Sequence, residues 1–96
     1  MDFDLIYTPI AKRPDPAAPT LLRHLWTMTK PGKKPITAAI YQRTAGRELR
    51  IHRGADADDL IDSLLSRGGE LPLTFRADER MALLLEHGWM DDRAAG

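Results

Sequence analysis

Large apolar side chains fall on alternate positions in three consecutive runs between residues 21 and 53, with a glycine-bearing turn between successive runs. A period of two puts neighbouring side chains on opposite sides of an extended backbone, so each run predicts a strand that buries one parity and exposes the other. The first, about 21–29, sets Leu22, Trp26 and Met28 on one face together with His24. Pro31-Gly32 then offers the fixed φ and the positive φ that the two central positions of a type II turn require. The second, about 36–43, turns Ile36, Ala38 and Ile40 one way and Ala39, Tyr41 and Arg43 the other, and Ala45-Gly46 reverses the chain again. The third, about 48–53, has Leu49 and Ile51 inward with Glu48, Arg50 and His52 outward. Short strands joined by short turns predict an antiparallel meander.

After Gly54 the spacing changes. Leu60, Ile61, Leu64 and Leu65 make a stripe of helical period, Asp56 suits an N-cap, and Asp58, Asp59 and Asp62 sit in or near a first turn, where the helix dipole favours anions. Gly68-Gly69 would stop this helix. A second helix is predicted beyond Leu71-Pro72-Leu73, capped by Thr74 and running to about His87, with Ala77, Met81, Leu84 and Leu85 inward. Gly88 then reads as the left-handed residue after the C-cap, which places Trp89 to pack back on Leu84 in a Schellman ending. The fold class expected is α+β: a three-stranded antiparallel meander followed by two α-helices on one sheet face, the other face open.

Upstream, residues 2–8 alternate Phe3, Leu5 and Tyr7 with Asp2, Asp4 and Thr8, a half-buried strand that Pro9 ends. Residues 11–19 hold three prolines and no large apolar side chain, which marks a semi-rigid linker. The chain thus divides into an N-terminal strand or arm (1–10), a Pro-rich linker (11–20), one domain (21–90) and a frayed tail (91–96). The arm is a candidate fourth strand, in its own sheet or at a neighbour's edge.

The net charge of zero conceals a split: residues 1–54 carry ten Lys or Arg against four Asp or Glu, and residues 55–96 carry four against ten. With no cysteine, disulfides and thiolate chemistry are excluded, and a reducing cytoplasm fits best. The acidic N-terminus is unlike a secretory signal and no apolar run is long enough to span a bilayer, so no membrane association is expected. The histidines His24, His52 and His87 lack the i, i+4 spacing of a helical metal site, and the aspartates lack the glycine and distal glutamate of an EF-hand loop, so no metal and no cofactor are expected. Ser63 and Ser66 lie in no nucleophile elbow and Pro31-Gly32-Lys33-Lys34 is no phosphate loop, so no catalytic residue is assigned.

What remains is a basic surface. Lys30, Lys33 and Lys34 crowd the tip of the first hairpin, and the open sheet face is expected to show Arg23, Tyr41, Arg43, Arg50 and His52. Cations interleaved with an aromatic suit single-stranded nucleic acid, the cations on phosphates and the ring under a base. They equally suit an acidic protein surface, and exposed lysines also serve simply to discourage edge pairing. The strand order resembles that of a double-stranded-RNA-binding domain, but four aspartates stand where that family places lysines. A protein partner or self-association, including a homodimer through the arm or a sheet edge, is therefore ranked ahead of nucleic acid.

The set Trp26-Thr27-Met28-Thr29-Lys30-Pro31-Gly32, Gly46-Arg47-Glu48-Leu49-Arg50, Ser63-Leu64-Leu65-Ser66-Arg67 and Gly88-Trp89 resembles small uncharacterised proteins of high-GC proteobacteria over residues 21 to 89. The resemblance implies a bacterial origin and carries no assigned activity.

Overall fold

The computed structural model describes residues 19–95, so the expected arm and nearly all of the linker lie outside the described residues. Strands β1 (Thr20–Thr29), β2 (Ile36–Arg43) and β3 (Gly46–Arg53) form the expected meander. Lys33 N–H donates to Lys30 C=O at 3.0 Å across Pro31-Gly32, and Gly32 has φ +78°, which is the type II geometry. Between β2 and β3 the pairing is unbroken, Ala38 opposite Ile51 and Ile40 opposite Leu49, and all four are buried on one face.

β1 departs from simple alternation. Its register on β2 shifts between Leu21 and Arg23 and again between His24 and Trp26, each shift inserting one residue. A bulge reverses parity beyond it. Trp26 and Met28 therefore face the core, but His24 pairs with Ala39 on the opposite face, and Leu22 lies in a bulge and is exposed. Arg23, expected on the open face, pairs with Ile40 and belongs to the core side.

The first predicted helix does not exist. Residues 60–66 instead form β4 (Leu60–Ser66), antiparallel to β3, so the meander has four strands. The doublets Leu60-Ile61 and Leu64-Leu65 imitate a helical stripe, but the bulge between Ile51 and His52, where Ile61 is the added residue, accommodates the first doublet in a strand. Pairing also satisfies the outer backbone groups of β3, which a helix would have left open. Asp56 does make the bond of an N-cap, its Oδ1 accepting from Asp58 N–H at 2.9 Å, within a hairpin loop rather than at a helix start. Gly46 fits β4 to β3: its φ is +146°, and a Cβ there would run into the Ser66 carbonyl.

The one long helix among the described residues, α1 (Leu71–Glu86), starts three residues before the expected Thr74 cap, with Pro72 in its first turn and Glu70 at the N-cap. Thr74 lies inside, donating to Leu71 C=O. Leu73 and Ala77 are buried against Trp26, Met28, Ile36, Ala38, Ile40, Leu49 and Ile51, with Leu64, Met81, Leu84 and Trp89 at the margin. Leu85, expected inward, is exposed. The helix ends as predicted: Gly88 has φ +90°, Trp89 N–H reaches Leu84 C=O at 3.0 Å and Gly88 N–H reaches Leu85 C=O at 3.2 Å. The chain then adds a short strand, β5 (Met90–Asp91), beside Met28 and Thr29, and a single turn, α2 (Asp92–Ala95). The sheet order is β4-β3-β2-β1-β5. No helix among the described residues is long and apolar enough to cross a membrane.

Trp26 is 3% exposed and its Nε1–H has no hydrogen-bond partner among the described residues. Its stabilisation therefore comes from the ring's packing. Trp26→Ala is expected to cost about 3–5 kcal/mol in urea unfolding and Trp26→Phe less than half of that, since Phe keeps most of the contact and deletes the orphaned donor.

Candidate interaction surfaces

The sheet face away from α1 carries Tyr41, Arg43, Arg50 and His52 together, as expected, but not as a field of free cations. Arg50 lies 5.7 Å from the centre of the Tyr41 ring. Its Nε donates to Glu48 Oε1 at 2.9 Å, and its Nη1 donates to Asp58 Oδ1 at 2.8 Å and to Ala57 C=O at 3.1 Å. Burial works against the charge of Arg50, yet its bonds to Glu48 and Asp58 outweigh this and hold the guanidinium above its ordinary pKa. Arg43 shares the same Glu48 oxygen at 2.9 Å. The acidic loop 54–59 thus turns back on this face, and His52, bonded through Nδ1 to Gly54 C=O at 3.0 Å, is buried beneath it.

The other predicted cations are scattered. Arg23 and Arg47 reach the two carboxylate oxygens of Glu70 at 2.6 and 2.9 Å on the helix side of the sheet. Lys30 donates to His87 C=O at 2.7 Å, where an ammonium meets the negative end of α1. Lys33 and Lys34 stand exposed on the turn with no carboxylate partner among the described residues. Further up the open face, His24 Nε2 lies 2.8 Å from Thr27 Oγ1, which lies 3.1 Å from Thr37 Oγ1. This chain ties β1 to β2.

The surface that sequence reasoning missed is the outer side of β4. Leu60, Ile61 and Leu65 are 39%, 45% and 45% exposed on a strand that ends the sheet. Its single charged residue, Asp62, faces α1 and accepts from Arg76 Nη1 and Arg80 Nε, each at 3.0 Å. Partial burial raises the Asp62 pKa, but the two guanidinium bonds outweigh this and hold the carboxyl below its ordinary value. Beside these ion pairs, Ile36, Ile51, Ile61, Arg80, Leu83 and Leu84 line a groove of about 120 Å³ between β4 and α1. A second groove of about 210 Å³, lined by Arg43, Thr44, Ala45, Glu48 and Leu65, lies at the other end of the strand on the open face. Reading residues 60–66 as helix concealed this edge; the signal available was the shortness of the run between Asp59 and Gly68-Gly69, which suits a strand better than a helix.

Among the described residues no three His, Asp or Glu side chains converge as a metal site. Comparison with protein-family models, with curated proteins and with solved structures finds no match to this chain.

Because the Asp62 carboxyl is held below its usual range, its contribution is complete above the ordinary value of 3.8 and is lost as pH falls through the lower folded-state value. Asp62→Asn is therefore expected to cost about 1–2 kcal/mol at neutral pH, a modest figure because Arg76 and Arg80 are partly solvated. The gap from wild type should close in acid. A gap independent of pH in urea titrations would refute the ionic origin.

Proposed function

We propose that this chain is a small, non-catalytic protein-interaction domain of the cytoplasm that adds an extended segment of another polypeptide to the outer edge of β4, a second copy of itself being the simplest partner. The observation that carries this reading is the edge: a seven-residue strand unpaired on its outer side among the described residues, with exposed apolar residues on both faces. Sheet edges are usually blunted by lysine, proline or an inward charge left hard to cover. β4 has no lysine or proline, and its inward charge is already neutralised. Two copies of β4 meeting antiparallel about Ser63 would set Leu60 of each opposite Leu65 of the other on the open face and bury no unpaired charge. Main-chain bonds then supply affinity, and the flanking side chains supply selectivity.

Sedimentation over a concentration series tests this. The mass average of the wild type is expected to rise toward that of a dimer, and Leu65→Lys, at an exposed position, should suppress the rise without lowering stability. A wild type that remains monomeric to millimolar concentration would exclude self-pairing.

Nucleic-acid binding is the second reading, favoured by exposed Lys33 and Lys34 alone, since the arginines of the open face are engaged by carboxylates. Two phosphate contacts on a single strand predict a log–log salt slope no steeper than about −1.4. Fluorescence titration of an oligonucleotide with Lys33→Glu/Lys34→Glu should abolish what binding there is; a steeper slope would mean a larger cationic surface than these two lysines.

A further inference from the structure

We infer that the outer face of α1 is a docking surface separate from the β4 edge, and that its occupant is an amphipathic helix of another protein whose apolar stripe is bordered by Lys or Arg. Position along the helix supplies the first argument. At about 100° per residue, Leu73, Ala77 and Leu84 point to the sheet and Phe75 falls on the opposite side. Leu71 and Phe75, at 79% and 66%, are the two most exposed large apolar residues among those described, and Leu85 is 51% exposed. With exposed Ala82 they recur at intervals of four, seven and three residues. That is the four-three alternation of a helix-pairing seam, with Asp78 at its middle position. The seam runs about 21 Å along the axis, enough to seat about four turns of a partner. A lone exposed leucine is ordinary, but an exposed Phe aligned with apolar positions along a whole helix marks a contact surface.

Charge supplies the second argument and fixes the occupant. Arg76 and Arg80 are the only cations of α1, and both bond Asp62 on the sheet side. Asp78, Glu79 and Glu86 stand exposed on or beside the seam and form no ion pair among the described residues. Glu86 lies in the last turn, where the helix dipole disfavours an anion, so the stability of α1 does not account for it. A second copy of α1 laid antiparallel on the seam would set Phe75 near Ala82, but it would also bring Asp78 against Asp78 with the Glu79 carboxylates alongside. Nucleic acid and acidic lipid meet the same repulsion. An apolar stripe bordered by cations answers both features: the stripe covers Leu71 and Phe75, and the cations meet Asp78, Glu79 and Glu86.

The probe is a synthetic amphipathic helical peptide built on the repeat Leu-Lys-Lys-Leu-Leu-Lys-Lys, with the same peptide carrying glutamate in place of lysine as its control. In amide-shift titrations of the full-length protein, the lysine peptide is expected to perturb the outward positions of α1 and the glutamate peptide to perturb nothing. Phe75→Ser and, separately, Asp78→Lys/Glu79→Lys should each weaken the lysine peptide by about tenfold, whereas Leu65→Lys at the β4 edge should leave its affinity unchanged. All of these substitutions are at exposed positions, and unaltered amide shifts in β1–β4 of the α1 variants report that the fold is kept. Affinity that survives Phe75→Ser intact would reduce the surface to a patch of charge and overturn the inference. Perturbations centred on β4, or no binding up to millimolar peptide, would overturn it too. So would a wild type whose self-association is lost in Phe75→Ser but kept in Leu65→Lys, since the occupant would then be a second copy.

Discussion

One helix has to cover a sheet wider than itself. An α-helix with side chains is about 10–12 Å across, whereas the axes of four strands already span about 14 Å. Leu73 and Ala77 therefore sit over the middle, against Ile40 and Leu49 and their neighbours, and cannot reach both margins. The two margins are closed by different means. On the β1 side large aromatic volume does it, with Trp26 buried and Trp89 brought back to the core by the Schellman ending of α1. On the β4 side the closure is ionic, Asp62 gripping Arg76 and Arg80. An ionic clamp holds strand to helix but excludes little water, and so Ile61 and Leu83 stay half exposed along that margin. The exposed edge is the consequence of a layer one helix short.

The charge split of the sequence closes on itself in the same arrangement. Basic strands meet acidic loop and helix residues in pairs: Arg50 with Asp58, Arg53 with Asp59, Arg23 and Arg47 with Glu70, and Lys30 with the carbonyl end of α1. Segments that carry opposite charge are neighbours in space, so the asymmetry that looks like a demand for an outside partner is answered mainly within the domain. Most of these pairs are solvated on at least one side and contribute little stability each. Their larger effect is to leave few unneutralised cations on the sheet.

The parts of this fold that local chemistry decides were legible in the sequence. The type II turn follows from Pro31-Gly32, the helix ending from Gly88-Trp89, and the inward parity of β2 and β3 from an uninterrupted period of two. What could not be read depends on pairing between distant segments. Arg23 and His24 change faces because of bulges in β1, which no alternation of residues announces. Residues 60–66 become a strand because β3 offers a backbone edge, and a bulge at Ile61 absorbs a doublet whose spacing mimics a helix. Even the N-cap signal at Asp56 was chemically correct, since the same short bond serves a turn. The candidate site shared this fate: four of the expected basic-face residues do lie together, but the edge emerged only once β4 was known to be a strand.

These features fix what kind of recognition the molecule can perform. A cationic sheet face would attract any polyanion over a Debye length and lose its grip in salt. Here the guanidinium groups of Arg43 and Arg50 are held by Glu48 and Asp58, so long-range attraction is weak and binding free energy must come from contact. At the β4 edge contact means main-chain hydrogen bonds and flanking apolar area, which are insensitive to salt and tolerant of partner sequence. Tolerance is a hazard for an open edge, because any extended apolar segment would fit. Selectivity at such an edge then rests on the side chains that flank it, Leu60, Ile61 and Leu65.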